Sequence, residues 1–458
     1  MRSSLVRSLP STRFVSLAAA AALSASAAGC GSSAATPTGG DAGTTNTGTQ
    51  VAATVTRDLT PVVASGDEAA LVTGNSDFAF ALYHGLSGTG GAGTTGNLFY
   101  SPYSVSLALA MTYTGAEGAT ASQIATALSF TLSEAKQNPA FDKLDLAIQA
   151  KPANATGADG APFALNLADS LWGGSKGTFA QSYVNTLAAN FGAGLRTVDF
   201  ATDPTAAEAA INAWVANETD DKIDPLLSPG VITPDTAFVI VNAVYFNAAW
   251  ATQFEKNVTV TAPFTRADGS VVKTPLMSSG SAASAYAKGS NYQAVELPYS
   301  GNTTSMVVIL PDSGAYAAVE SELSGSFFAG VTSALSGDYE INLTLPSFKI
   351  HGDSVSLVPE LKSLGMVDAF VPKVANFDGM IPGGDVYIGD VIHQAFVDVD
   401  ETGTEAAAAT AVVGVTDVGI AVTNQVTVDV NHSFFFFIRD LATNTILFVG
   451  REDDPTAT

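Results

Sequence analysis

Four histidines (His84, His351, His393, His432), one cysteine (Cys30) and 43 acidic side chains are the groups in this 458-residue chain that could carry proton transfer, nucleophilic attack or metal binding. Their spacing suits none of these. No His-Glu-x-x-His and no Gly-x-Ser-x-Gly occurs, no two histidines stand at metal-ligand spacing, and a lone thiol makes neither a cluster nor an internal disulfide. Gly88-Thr89-Gly90-Gly91-Ala92-Gly93 satisfies the G-x-G-x-x-G spacing. Strand-like Asn97 to Tyr100 follows it where the dinucleotide fingerprint requires a helix, so it reads as a loop. No catalytic residue, metal or cofactor is expected. A hydrolase built on an unrecognised pair of carboxylates stays open as a third reading.

What the sequence does offer is conformational chemistry. Asp400-Glu401-Thr402-Gly403-Thr404-Glu405-Ala406-Ala407-Ala408-Ala409-Thr410-Ala411-Val412-Val413-Gly414 is small, free of proline and uncharged after Glu405. Four alanines favour helix while the flanking Thr, Val and Gly suit an extended strand, and such divided preference is what a switch would use. In an extended chain Thr404, Ala406, Ala408, Thr410 and Val412 share one face, with no charge and no bulk among them, and Glu405 falls on the other. That row can enter a closed core. The bland alternative is a surface loop.

The elements that must position this segment belong to a globular chain with 47% apolar and 9% aromatic residues. Nineteen Lys and Arg against 43 acids give a net charge of -24, a field that repels nucleic acid, anionic lipid heads and heparin-type polyanions. From about Asp67 onward no second linker interrupts the chain, so one large domain is expected over 67–458. Asp203-Pro204 starts a helix over 204–217, with Ile211, Trp214 and Val215 at helical spacing. A second helix is expected around 354–364. Strands are expected over 238–246, 305–310, 341–350, 425–430, 434–438 and 445–449, giving a mixed α/β domain with mostly antiparallel pairing.

The N-terminus carries Arg2, Arg7 and Arg13 before an apolar, Ala-rich stretch from Phe14 to Ala28, too short to span a bilayer and readable as a signal peptide over 1–29. Ser26-Ala27-Ala28-Gly29-Cys30 resembles the bacterial lipobox, with Ala27 where Leu is usual, so Cys30 is the expected lipidation site and ordinary cleavage nearby the alternative. Removal of residues 1–29 leaves a charge of -27. Gly31 to about Gly66 is rich in Ser, Thr, Gly and Ala and reads as a flexible tether over 30–66. The expected location is the cell envelope, as a lipoprotein, or the exterior.

Residues from about Asp67 to Arg451 resemble the serpins, large single-domain protease inhibitors whose reactive loop inserts into a central sheet. Glu401-Thr402-Gly403-Thr404-Glu405-Ala406-Ala407-Ala408-Ala409-Thr410 is similar to the hinge of inhibitory members. Val428 to Ile438, with Leu447-Phe448-Val449-Gly450-Arg451, resembles the family's C-terminal signature. Asn97 to Ser104, Val241 to Phe246 with Trp250, Val295 to Tyr299 and Ser305 to Pro311 match in order. The resemblance implies a serpin fold with eight or nine helices and a reactive loop at about 401–427. It implies a polar shutter under the sheet formed by Ser101, Ser104, Asn242 and His393, and a breach at Trp250 where the loop first enters.

The implied activity is suicide inhibition of a serine protease by a monomer, through a covalent acyl complex and loop insertion that carries the enzyme on the order of 40 Å. By family spacing Asp417 precedes the scissile bond and Val418 follows it, with Thr416 also a candidate. Positions 402–433 hold no Lys, Arg or aromatic residue, which disfavours trypsin-like and chymotrypsin-like targets. Elastase-like or subtilisin-like enzymes suit the local Val, Thr and Ile, and an aspartate-specific enzyme would suit Asp417. The second reading is a non-inhibitory serpin-fold binding protein of the cell surface.

Overall fold

The computed structural model describes residues 48–88, 96–150, 154–160, 162–175, 177–192, 194–404 and 424–457. Cys30, the hinge residues Glu405, Ala406, Ala407, Ala408, Ala409 and Thr410, and the bond candidates Thr416, Asp417 and Val418 lie outside them.

After β1 (Thr49–Gln50) and the long helix α1 (Ser65–Gly88) come β2 (Leu98–Tyr100), α2 (Pro102–Tyr113), α3 (Gly118–Ala127) and α4 (Glu134–Gln149). Strands and helices then alternate through β3 (Ala164–Gly174), α5 (Gln181–Phe191), β4 (Leu195–Val198), α6 (Pro204–Glu218) and β5 (Phe238–Ala249). A run of strands follows: β6 (Val260–Thr265), β7 (Val271–Ser279), β8 (Ala285–Lys288), β9 (Tyr292–Pro298) and β10 (Thr304–Pro311). Next are α7 (Tyr316–Glu322), α8 (Gly325–Ala334), β11 (Glu340–Pro346), β12 (Phe348–His351), β13 (Val355–Ser356) and α9 (Val358–Ser363). The last elements are β14 (Ile388–Val399), β15 (Gly403–Thr404), β16 (Gln425–Asp429), β17 (Phe434–Asp440) and β18 (Ile446–Glu452).

Among the described residues the strands form three sheets. The largest has eight strands in the order β1-β4-β3-β5-β15-β14-β12, with β13 also on β14; a six-stranded sheet runs β2-β18-β17-β10-β9-β8 and a four-stranded one β16-β11-β7-β6. Every residue of β5 is buried because α2 packs on β5 and β3 from one side while α6 covers them from the other. The start of α6 is as expected, with Asp203 Oδ1 accepting from the Ala206 amide at 3.0 Å. The run Phe434 to Phe437 is wholly buried for the same reason as β5: both faces of β17 are covered. Phe435 and Phe437 meet Tyr83 and Phe80 of α1, and Phe434 and Phe436 meet Phe348 of β12.

Three expectations change. The single strand expected over 341–350 is two strands broken at Ser347, since β11 belongs to the four-stranded sheet and β12 to the eight-stranded one. The helix expected around 354–364 starts only at Val358, because Val355 and Ser356 pair with His393 and Ile392 of β14. The tether does not reach residue 66: residues 48–64 lie against the domain, starting with β1, which extends the large sheet by pairing with β4. Small and polar side chains there are held by hydrogen bonds, a kind of fixation that a composition rich in Ser, Thr and Ala hides.

Candidate functional site

Between β5 and β14 the large sheet has a seam that is closed along most of its length and open at one end. From Phe238↔Ile388 to Val244↔Ala395 the two strands pair directly and in parallel. Beyond Ala395 strand β14 turns to pair with β12, and β15 fills the gap that results, with Thr404 opposite Val399 on one side and Ala248 on the other.

A tight hairpin delivers β15 to that position. The Asp400 amide donates to the Gly403 carbonyl at 3.0 Å, and the Asp400 carboxylate accepts from the Thr402 amide at 2.7 Å and the Gly403 amide at 3.3 Å. Trp250 anchors the turn from β5's end: its indole N–H donates to the Asp400 carbonyl at 2.9 Å and its amide to the Thr402 carbonyl at 3.0 Å. Glu401 accepts from Thr259 Oγ1 at 2.6 Å, and its carbonyl accepts from the Phe254 amide at 2.9 Å. Tyr299 stacks on Trp250 at 4.6 Å between centroids and shares a 2.7 Å hydrogen bond with the Thr404 hydroxyl. Thr404 is 0% exposed.

The reactive loop expected over 401–427 is therefore shorter at both ends. Residues 401–404 are bound against Trp250, Phe254, Thr259 and Tyr299, and Gln425 already begins β16, which pairs in parallel with β11. Gly403 is required by close approach: a Cβ there would collide with the Ala248 carbonyl oxygen and lie 2.7 Å from Cα of Ala249. Backbone cannot yield as a side chain can, so Gly403→Val should drive β15 out of the seam. Faster proteolysis between Glu401 and Glu405 would report this; an unchanged rate would mean that the hairpin is not held by that contact.

Lower in the seam sits a polar cluster. His393 of β14 and Asn242 of β5 are directly opposite, and His393 Nδ1–H donates to Asn242 Oδ1. The Ser101 amide donates to His393 Nε2 at 3.1 Å, so both ring nitrogens are satisfied only by the neutral imidazole. Asn242 Nδ2 donates to Ser104 Oγ and to Asp169 Oδ1, and Ser104 Oγ–H donates to Asp169 Oδ1 at 2.7 Å. Ser101, whose hydroxyl donates to the Leu447 carbonyl at 2.8 Å, caps α2 by accepting from the Ser104 amide at 3.3 Å. Capping thus sets the spacing of the two serines under the sheet.

Burial pushes His393 down to about 4 and Asp169 up to about 8, the latter against the pull of its Ser104 and Asn242 hydrogen bonds and with help from the nearby Asp145 charge. Asp169 Oδ2 has no partner among the described residues. Folding thus takes up a proton on Asp169 between its ordinary 3.8 and about 8, and native stability should fall as pH rises through that window. His393 acts in the opposite sense between about 4 and its ordinary 6.5. Between pH 6.5 and 8 only Asp169 of the two contributes, with a slope of up to about 1.4 kcal/mol per pH unit. In Asp169→Asn that slope should vanish, as melting midpoints at pH 6.5 and 8.5 would show; equal pH dependence in both proteins would remove Asp169 as its source.

Residues 73–455 match the family model described as Serpin (serine protease inhibitor). The chain belongs to the serpin family. It is 34% identical over 397 residues to the leukocyte elastase inhibitor of Homo sapiens, an alignment that covers 84% of this chain and 99% of that one. It is 33% identical over 393 residues to an uncharacterised serpin-like protein of Methanosarcina acetivorans, covering 85% and 88%. Among solved structures, the native state of the thermophilic serpin tengpin superposes with a TM-score of 0.74 at 28% identity, over 88% of this chain and 97% of that one. The fold is the serpin fold, and many members of the family inhibit proteases rather than act as enzymes.

Within this serpin the four residues expected at the shutter meet in one cluster, and Trp250 meets the hinge at Asp400 and Thr402. Asp169, Tyr299 and Asp400 were not singled out as site residues. Asp169 did leave a signal, an acid in a strand-like stretch that also holds Leu165, Ala168, Leu171 and Trp172, all of them buried. Tyr299 and Asp400 lie in stretches the sequence marks, but their contacts with Thr404 and Trp250 exist only once the hairpin is formed.

Proposed function

We propose that this serpin is a suicide inhibitor of serine-type endopeptidases. The observation that carries the reading is the seeding of β15 in the seam. Extending its antiparallel register, in which Thr404 faces Ala248 and Val399, brings Thr410 between Asn242 and His393 and Gly414 opposite Phe238 at the start of β5. A cleaved loop therefore has a strand position of matching length waiting, and the residues that must turn inward are those of the small row Thr404, Ala406, Ala408, Thr410 and Val412. Thr410 would replace the direct Asn242–His393 contact with a hydroxyl that both donates and accepts, so parting the strands there leaves no polar atom unpaired.

The target's serine attacks the carbonyl of the loop residue before the scissile bond, the amine on the far side leaves, and an acyl ester joins the two proteins. Insertion of residues 404–414 then moves the ester about 35 Å along the sheet at roughly 3.3 Å per residue. Deacylation needs an intact oxyanion hole and a free water path, both lost when the enzyme is dragged against the body of the inhibitor. Elastase-like or subtilisin-like enzymes are the proposed targets. The protein acts as a monomer held to the cell envelope by a lipid on Cys30.

Incubation with a panel of serine proteases tests this, read by denaturing gel and by the mass of the released C-terminal fragment. A heat- and detergent-stable complex with cleavage among residues 415–422 is expected. Cleavage of the loop by every enzyme with full release of active protease would overturn the reading.

A further inference from the structure

The segment ahead of α1 is bound to the rest of the molecule by three successive sets of contacts. Thr49 and Gln50 pair with Thr197 and Arg196 on the outer edge of β4, and the Val51 amide donates to the Leu195 carbonyl at 2.8 Å. The Thr54 amide donates to Asn185 Oδ1 at 2.9 Å, and Asn185 Nδ2 returns a bond to Thr54 Oγ1 at 2.8 Å; the Asp58 amide reaches the Ala189 carbonyl at 2.9 Å, so α5 is gripped at two points. Finally Arg57 spans two acids of α4, with Nε 2.7 Å from Asp142 Oδ1 and Nη2 2.6 Å from Asp145 Oδ2.

Asp142 and Asp145 are 0% and 1% exposed. Two neighbouring carboxylates at that depth need a cation, and α4 has none facing them; the strap supplies it. Asp145 also accepts from Tyr103 on α2 at 3.3 Å, and Tyr103 precedes Ser104 of the seam cluster. For a strand to enter between β5 and β14, strands β5, β3 and β4 must move about one strand spacing, roughly 4.8 Å, away from β14. The strap holds β4 at one end and α4 at the other. Helix α4 packs on α1, and α1 packs on α9, which directly follows β13, a strand paired with β14. The strap thus crosses from the half of the sheet that slides to the helical layer it slides over.

We infer that residues 48–64 are a clasp that sets the lifetime of the loop-exposed state, with Arg57 as its pin. The inference rests on the proposed loop insertion. With Arg57 between its two acids, the sheet edge stays where it is and the seam below Thr404 stays shut. When the pin is lost, the uncleaved chain should drift sooner into a form that has taken up its own loop.

The test follows that drift in the full chain without any protease, by incubating uncleaved protein at a fixed temperature below its midpoint and scoring the fraction that resists unfolding on a urea gel. Arg57→Met is the direct variant. Because it strands two buried acids, Arg57→Met combined with Asp142→Asn and Asp145→Asn removes the pin without the charge conflict. The triple variant should convert at least about tenfold faster than wild type, losing two charge-assisted bonds that only the clasped state makes. Conversion at the wild-type rate, while loop cleavage of the wild type still raises its midpoint, would overturn the clasp and leave the inhibitor reading standing. If cleavage fails to raise the wild-type midpoint, the inhibitor reading falls and takes the clasp with it.

Discussion

Thr404→Arg is expected to turn a trap into a substrate. The wild-type side chain is 0% exposed and bonded to Tyr299, under the point where the sheet must open first. A guanidinium at this buried position must be taken out of water, and that cost falls on every state in which the seam is occupied. The acyl enzyme has two exits, insertion and hydrolysis. A barrier to insertion raised by about 3 kcal/mol slows it roughly a hundredfold, so hydrolysis takes over and the enzyme leaves active. Moles of inhibitor consumed per mole of protease inactivated would rise steeply, and the stable complex would fade from a denaturing gel. An undiminished complex would contradict the role given to Thr404.

Cleavage beyond Gly414, within 415–423, should raise the melting midpoint, and Thr410→Arg should remove most of that rise. Insertion over residues 404–414 adds a strand with neighbours on both sides. Ten net backbone hydrogen bonds at about 1 kcal/mol each shift the midpoint of a chain of this size upward by more than about 10 °C. Thr410 enters midway, at Asn242 and His393, both buried and both uncharged at neutral pH. An arginine at this position would stop the strand after about six residues, with Thr404 to Ala409 seated and the lower seam still paired directly. Differential scanning calorimetry of intact and nicked protein checks both halves of the statement. A full rise in the variant would show that insertion does not pass the polar cluster in this register.

The two variants probe different depths of one path, and their contrast is informative. Thr404→Arg acts at the entrance, so it also disturbs the uncleaved protein by displacing β15. Thr410→Arg leaves the breach contacts of Trp250, Tyr299 and Thr259 untouched.

Parts of this were legible in the sequence because local chemistry fixes them. The start of α6 follows from Asp203-Pro204, and β17 from an aromatic run that water would not tolerate on either face. Ser101 and Ser104 are one helix-cap interval apart, so the cap that starts α2 also places both hydroxyls under the sheet. Asn242 and His393 are 151 residues apart and their contact depends on the parallel register of β5 and β14, which no local pattern encodes. Their roles came from resemblance, not from spacing. The seating of Gly403 and Thr404 was hidden for a further reason. Their small, uncharged side chains suit an exposed hinge and a buried strand equally, and only the turn built by Asp400 and read by Trp250 decides between the two. The strap was missed because Arg57 is the single residue in it whose chemistry demands a partner, and both partners lie on α4.

Inhibition by this route requires one movement, the entry of the cut loop into the seam, and a structure of the nicked protein observes it. The expected map has residues 404–414 as a new strand between β5 and β14, with the Thr410 hydroxyl between Asn242 and His393. Direct pairing of Asn242 with His393 in the nicked protein, as in the uncut one, would contradict it.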